Sequence, residues 1–267
     1  MKTFQATSAK PRIELDRNSE AAMTHLYLIR HGQHIGAVKD IIGDTDLSTL
    51  GIKQAERLRD RLAATGEIKA DVLISSTFKR AKQTAEIIAP TLGLPIIFDD
   101  EVQEWRDGEA EGMSMEEYIA TFGEVDNEKY PFRPVAPGGE NWPQFFLRVG
   151  TALDRIIHEH EGKTIVIVCH GGIVDSSFLY FLGIGALQMP RISFSTRNTS
   201  ITHWRQRINE IFSPRPRWHL VKYNDDLHLR DINSPVRIPW KELARPVTGT
   251  DQPAVPLETE DDRTNEA

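Results

Sequence analysis

The sequence predicts an α/β protein with three layers, α/β/α, around a mostly parallel central sheet. Short aliphatic runs alternate along the chain with longer segments of helical periodicity, which is typical of βαβ units. A chain of 267 residues, of which 39% are hydrophobic and 27% charged, is long enough to bury the core that such a sheet needs. The single cysteine, Cys169, excludes an internal disulfide framework and a CxxC zinc site.

Short apolar runs predict the strands. The four predicted strands that alternate with helices are residues 26–29, 72–74, 95–98 and 165–168. The last of these is β-branched throughout, which strongly favours a strand. Two later segments, 199–204 and 218–223, are also predicted to be strands.

Helical spacing and capping residues predict the helices. Ser48 is expected to cap a helix whose apolar face contains Ile52, Ala55, Leu58 and Leu62. A second helix is expected to open at residues 75–77, which places Arg80 in its first turn. Residues 145–156 predict a long amphipathic helix, and another helix is expected from Gly171 onward.

The domain organisation follows from composition. A single domain is predicted for residues 23–240, with a small cap or insert around residues 105–140. Residues 1–22 lack hydrophobic periodicity, and residues 241–267 form an acidic, proline-containing tail, so both ends are predicted to be disordered.

Charge and hydropathy exclude several classes of partner. A net charge of −7 argues against binding to nucleic acid or to an anionic membrane surface. We find neither an apolar run of about 18 residues nor a secretory signal, and the chain is expected to be cytoplasmic.

Two predicted strands end in a histidine followed by glycine, at residues 30–32 and 169–171. Ligands of open α/β sheets bind at the carboxyl ends of the strands, so His31 and His170 are expected to face one pocket. The alternative is that they are two unrelated loop histidines. Arg30 and Arg80 strengthen the first interpretation, because a guanidinium group binds phosphate oxygens in a bidentate manner and a helix N-terminus favours anions.

A phosphoryl site also needs a proton donor for the leaving oxygen. The segment 101–112 follows the third predicted strand and carries several carboxylates, namely Glu101, Glu104, Asp107, Glu109 and Glu111. Composition alone does not choose among them.

Several motifs occur in a fixed order along the chain. They are Leu28-Ile29-Arg30-His31-Gly32, Gly43 to Ser48, Ser75 to Arg80, Glu104 to Gly112, Pro137 to Glu140, His170-Gly171-Gly172 and Asn198 to Ile201. In this order and spacing, over about residues 24–229, the chain resembles the histidine phosphatase superfamily, also called the phosphoglycerate-mutase-like family, and its phosphatase branch.

The resemblance implies a phosphomonoester hydrolase that needs no metal or other cofactor. His31 would be the catalytic nucleophile and become phosphorylated, and Glu104 would protonate the leaving group. Arg30, Arg80 and His170 would bind the phosphoryl oxygens and stabilise charge in the transition state, with His170 also counted as catalytic.

The sequence departs from the family pattern at three positions. His34 stands where many members have threonine or serine, Ala37 where an asparagine often contacts phosphate, and Ile42 where glutamine is common. His34 is either a substitute phosphate donor or a histidine at the rim of the site. We also expect the backbone at Gly171 to contact the phosphate, because glycine lets a ligand approach closely.

Three other functions stay open at this point. A mutase is the first, although only 24 residues, Met113 to Ala136, separate Gly112 from Pro137, where family mutases have a longer insertion. The second is a catalytically weak protein that binds a phosphorylated ligand. The third is a metal site formed by histidines. The expected partner is a small phosphorylated substrate, and a homodimer is left open.

Overall fold

A computed structural model describes residues 23–124, 126–209, 213–230 and 232. Six strands form one sheet: β1 His25–Arg30, β2 Val72–Ser76, β3 Ile96–Asp99, β4 Thr164–Cys169, β5 Ile201–Asn209 and β6 Ser213–Asp225. Their order is β3-β2-β4-β1-β5-β6, with β1 to β4 parallel and β5 and β6 antiparallel. This confirms the predicted α/β class and the mostly parallel sheet.

Helices cover both faces of the sheet, as a three-layer arrangement requires. They are α1 Ile35–Lys39, α2 Thr49–Thr65, α3 Lys79–Leu92, α4 Met115–Phe122, α5 Trp142–Glu159 and α6 Gly171–Leu182. Leu58 of α2 and Ile88 of α3 belong to the core on one face, and Phe145 of α5 and Phe178 of α6 belong to the core on the other. Side chains of β4 alternate between the two cores, so this strand is buried on both sides.

Three details of the helices differ from the prediction. Residues 75 and 76 end β2 instead of opening a helix, and α3 begins at Lys79, with Arg80 still in its first turn. Ile52, which was assigned to the apolar face of α2, is 43% exposed. The insert around residues 105–140 contains a helix that was not predicted, because Ser114 and Glu117 form a capping box that starts α4.

The parallel register explains where the site lies. Arg30 at the end of β1 pairs with Cys169 at the end of β4, and these strands are neighbours in the sheet. The residues that follow them, His31 and His170, therefore emerge side by side at the same edge. Cys169 is fully buried in the core.

The predicted ends of the chain, residues 1–22 and 241–267, lie outside the described residues, as do residues 231 and 233–240 of the predicted domain. The segment 105–140 contains α4 and a small apolar cluster of Ala110, Tyr118 and Ala136. Within the described ranges, no helix combines the length and the apolar character that a membrane crossing requires.

Candidate active site

The structure places His31 and His170 next to each other at one buried site. Their ring centroids are 5.1 Å apart, and the two residues are 3% and 0% exposed. The structure therefore brings the two predicted histidines together, as the shared carboxyl edge of β1 and β4 led us to expect. Burial, together with the positive charge of Arg80, holds the pKa of each imidazole well below the usual value, so both rings are neutral near pH 7.

Two contacts fix the tautomer of His31. Its Nδ1 lies 2.6 Å from the carbonyl oxygen of Gly32, which can only accept, so Nδ1 carries the proton. Its Nε2 lies 3.2 Å from Nε of Arg80, which can only donate, so Nε2 presents a lone pair. The ring therefore directs an unprotonated nitrogen into the pocket, which is the form that a nucleophile needs.

His170 is oriented by the end of the neighbouring strand β2. Its Nε2 lies 2.8 Å from Oγ of Ser76, and that oxygen also accepts a hydrogen bond from the backbone N–H of Phe78. The Nδ1 atom of His170 is buried without a hydrogen-bond partner among the described residues. A buried polar atom of this kind is costly unless a ligand supplies its partner.

Two guanidinium groups flank the histidines. Arg80 is 5% exposed and is held by the Gly43 carbonyl oxygen at 3.1 Å and by Asp44 Oδ1 at 3.2 Å. Arg30 donates to the carbonyl oxygen of Thr196, while its buried Nε has no partner in the part of the chain that the structure describes. The predicted arginines are therefore both at the site, and each is fixed by backbone or carboxylate contacts.

Glu104 also reaches this pocket. Its Oε2 accepts a hydrogen bond of 2.9 Å from the backbone N–H of Gly172, at the start of α6, and its Oε1 accepts one of 3.3 Å from Trp105 N–H. Among the acids of segment 101–112, it is the one bonded to the helix that His170 precedes. This contact places Glu104 next to the start of α6, the helix that follows His170.

Glycine is needed at position 172 and not at 171. A Cβ atom at Gly172 would lie 2.2 Å from Oε1 of Glu104, too close for any contact. A Cβ atom at Gly171 would lie 3.7 Å from Nε of Arg30, an ordinary van der Waals distance. The need for glycine at position 172 thus comes from the side chain of Glu104, a contact that the sequence did not predict.

An ion pair that the sequence did not reveal holds the acidic segment in place. Arg148 of α5 contacts both carboxylate oxygens of Glu140 at 2.7 Å. It also donates to the backbone carbonyl oxygens of Glu101, Gln103 and Glu104, at 2.7, 3.0 and 3.2 Å. The motif around residues 137–140 hinted at Glu140, but its partner lies on another element, and no local pattern marks it.

His34 lies beside His31. Its ring centroid is 5.5 Å from that of His31, and its Nδ1 is 2.8 Å from Oγ1 of Thr45. Burial, followed by the charges of Arg80 and Arg30, lowers its pKa to about 4. It is therefore a neutral histidine at the site near pH 7.

Asp107 is a second acid close to the cluster. Burial raises its pKa to about 6, the charge of Arg80 opposes that rise and the charge of Glu104 adds to it. Sequence reasoning named Asp107 only as one acid of five. Among the described residues, no group of three His, Cys, Asp or Glu side chains is arranged to hold a metal ion.

Comparison with known proteins is consistent with this geometry. The family model of the histidine phosphatase superfamily (branch 1) matches residues 26–225. A metal-independent phosphoserine phosphatase from Arabidopsis thaliana is 30% identical over 177 residues, which cover 61% of this chain and 71% of the relative.

Solved structures show the same fold. Phosphoserine phosphatase from Entamoeba histolytica, in complex with 3-phosphoglyceric acid, aligns with a TM-score of 0.60 and 26% identity, covering 77% of this chain and 99% of that one. A phosphoglycerate mutase from Bacillus anthracis aligns with a TM-score of 0.61 and 17% identity over 82% of this chain and 100% of its own. The predicted phosphoglycerate-mutase-like architecture is confirmed.

Proposed function

The chain belongs to branch 1 of the histidine phosphatase superfamily, and from that premise we propose that it hydrolyses its phosphomonoester substrate through a phosphohistidine on Nε2 of His31. One observation carries the assignment of the nucleophile. The proton on Nδ1 is committed to the Gly32 carbonyl, so the lone pair on Nε2 is the one that faces Arg80 and the pocket.

The first step is a displacement at phosphorus. Nε2 of His31 forms a bond to phosphorus while the ester P–O bond breaks, and the leaving oxygen takes a proton from an acid residue. In the second step water attacks phosphorus, gives a proton back to the same carboxylate and releases inorganic phosphate from the ring. These two steps account for every bond and proton without an electron acceptor or a metal ion.

The transferred group is held by fixed positive charge and hydrogen-bond donors. Arg30 and Arg80 would bind the phosphoryl oxygens, and Nδ1 of His170 would donate to one of them while its Nε2 accepts from Ser76. Phosphoryl transfer depends mainly on positioning and charge stabilisation, which these groups supply. In the resting enzyme Arg80 donates to His31, and a bound phosphoryl oxygen would take over as its acceptor.

Two further contacts belong to the proposal. The backbone N–H of Gly171, the first residue of α6, would donate to a phosphoryl oxygen, because a helix N-terminus favours anions. His34 would act as a neutral donor at the rim of the pocket.

Glu104 is the proposed proton donor, because two backbone N–H groups orient its carboxylate toward the start of α6. Asp107 is the second candidate, since its pKa, raised to about 6 by burial, suits a donor at mildly acidic pH. Substitution of each by its amide separates the two roles.

The similar proteins support a small phosphorylated substrate. A relative is a phosphoserine phosphatase, and the structure of another holds 3-phosphoglyceric acid. We propose that this chain acts on a compound of similar size, in the cytoplasm. A homodimer is a further prediction, to be tested by light scattering.

The deciding experiment compares the wild type with His31→Ala on p-nitrophenyl phosphate, with and without a chelator. We expect His31→Ala to lower kcat by at least about a thousandfold, as loss of a nucleophile does, and the chelator to have no effect. Phosphate transfer between phosphoglycerates that outpaces phosphate release would favour the mutase. Equally slow release by both proteins would favour a ligand-binding protein.

A further inference from the structure

A small cavity lies beside Glu104, the proposed proton donor, and is not lined by Arg30, Arg80 or His170. Its volume is about 90 Å³, room for roughly three water molecules at their liquid volume. Apolar side chains form most of its wall, four of them aromatic, and its polar lining includes one carboxylate. The residues on which the argument rests are Trp105, Trp142, Phe145, Phe194, Gly172 and Asp175.

The position of this cavity identifies the part of the substrate it would meet. Gly172 lines the cavity and at the same time donates its backbone N–H to Glu104. Glu104 is the group proposed to protonate the leaving oxygen. The cavity therefore lies on the side from which the leaving alcohol departs, while the phosphoryl group stays with Arg30 and Arg80.

Asp175 gives the cavity its chemistry. It lies on α6, one turn after Gly171, and its Oδ1 is buried without a hydrogen-bond partner in the part of the chain that the structure covers. Burial raises the pKa of Asp175 to about 6, and the negative charge of Glu104 adds to that rise. A backbone hydrogen bond from Phe194 and the positive charge of Arg30 act in the opposite direction and lower the pKa. At neutral pH the group is mostly ionised, and none of the described residues donates a hydrogen bond to its Oδ1.

The walls of the cavity suit a cation. Trp105 stacks on Phe145 with ring centroids 4.9 Å apart, and both side chains line the cavity. Among the described residues, no lysine or arginine lines this cavity. Aromatic faces attract a desolvated ammonium group through their quadrupoles, and a carboxylate among them adds the countercharge.

We propose that this cavity is the leaving-group subsite and that it selects phosphomonoesters of compact amino alcohols, whose ammonium or methylated ammonium group contacts Asp175 within the aromatic walls. This inference rests on the proposed phosphatase activity. It also predicts discrimination against leaving groups that carry a carboxylate, because that group would meet the negative charges of Asp175 and Glu104 without a cation in the cavity.

The test compares phosphocholine with its neutral carbon analogue, in which a tert-butyl group replaces the trimethylammonium group. These substrates have the same shape and the same phosphoryl group, so their ratio of kcat/KM isolates the charge. We expect the wild type to prefer phosphocholine by at least about 10-fold, as for a desolvated cation among aromatic rings. Phosphoethanolamine should likewise be a better substrate than phosphoserine.

Two variants with the same change in charge are compared. Asp175→Asn should reduce the preference to less than about threefold, because the amide keeps the shape and removes the countercharge. Glu116→Gln, on the exposed side of α4, removes the same charge away from the cavity and should keep the preference. A wild type without preference for the cation, or an Asp175→Asn protein that keeps it, would overturn the proposal.

Choline itself provides a measurement that does not require turnover. Quenching of tryptophan fluorescence by choline should saturate in the wild type, since Trp105 and Trp142 line the cavity, and should weaken by about 10-fold or more in Asp175→Asn. Equal quenching by the neutral alcohol would refute the subsite. A wild type that does not hydrolyse p-nitrophenyl phosphate would instead refute the phosphatase mechanism. The failure of the subsite and the failure of the phosphatase activity are thus distinguished by different measurements.

Discussion

Replacing Arg148 by methionine removes the group that joins α5 to the segment carrying Glu104, the proposed proton donor. Arg148 is 9% exposed, and its guanidinium contacts both oxygens of Glu140 and the carbonyl oxygens of residues 101, 103 and 104. Methionine keeps most of the side-chain volume but none of these five contacts. The substitution therefore leaves a carboxylate and three carbonyl groups without their donor.

The size of the effect follows from these contacts. Removing one partner of a buried ion pair costs about 3–5 kcal/mol, because the other charge is left uncompensated. The side chains of Arg148 and Glu140 are only 6% and 12% exposed, so the value for buried pairs applies. We expect the free energy of unfolding, measured by urea titration, to fall by about 3–5 kcal/mol. Arg155→Met, which breaks a pair on the exposed side of the same helix, should cost less than about 1 kcal/mol.

Activity provides the more specific test of Arg148. If the contacts of Arg148 position Glu104, losing these contacts should slow the hydrolysis of an alkyl phosphate by up to about 100-fold, which is the contribution of a general acid. Hydrolysis of p-nitrophenyl phosphate should fall by less than about 10-fold, since its leaving group departs without a proton. Equal slowing of both substrates, or an unchanged stability, would refute the reasoning.

Three further predictions follow from the contacts around the site. Gly172→Ala should lower kcat on alkyl phosphates far more than its matched control Gly171→Ala, because only the first adds a methyl group that displaces Glu104; similar kcat values would contradict this. Glu104→Gln should lower kcat on the same substrates by about 100-fold and Asp107→Asn by less than about 10-fold; the reverse order would transfer the role of donor to Asp107. Burial, and after it the charge of Arg61, lowers the pKa of His228 in the folded protein to about 4. As the pH falls from about 6.5 towards 4, this histidine is therefore protonated in the unfolded chain before it is protonated in the folded protein, and the free energy of unfolding decreases by up to about 3 kcal/mol. His228→Asn should remove that part of the acid dependence in urea titrations, and an unchanged dependence would contradict the assignment.

The parts of the fold that sequence reasoning predicted are those that local patterns encode. The β-branched run of β4 and the capping serine of α2 lie where the sequence placed them. The paired histidines could be predicted because parallel strands share one carboxyl edge. Helix α4 was missed, although the capping box formed by Ser114 and Glu117 was a readable signal.

The missed parts of the site depend on contacts between distant segments. Ser76 orients His170 across 94 residues of sequence, and Arg148 supports Glu104 from 44 residues away. Neither residue type is unusual at its position, so no spacing rule identifies it. Asp175 resembles any other acid on a helix until the aromatic side chains around it are known.

The most direct test of the mechanism is to trap the phosphorylated enzyme. The wild type is mixed with excess substrate and quenched within milliseconds, and the intact protein and its peptides are weighed by mass spectrometry. We predict one added phosphoryl group, labile in acid and stable in base, on His31, and none on His31→Ala. A phosphoryl group on another residue, or full activity of His31→Ala, would contradict the central claim.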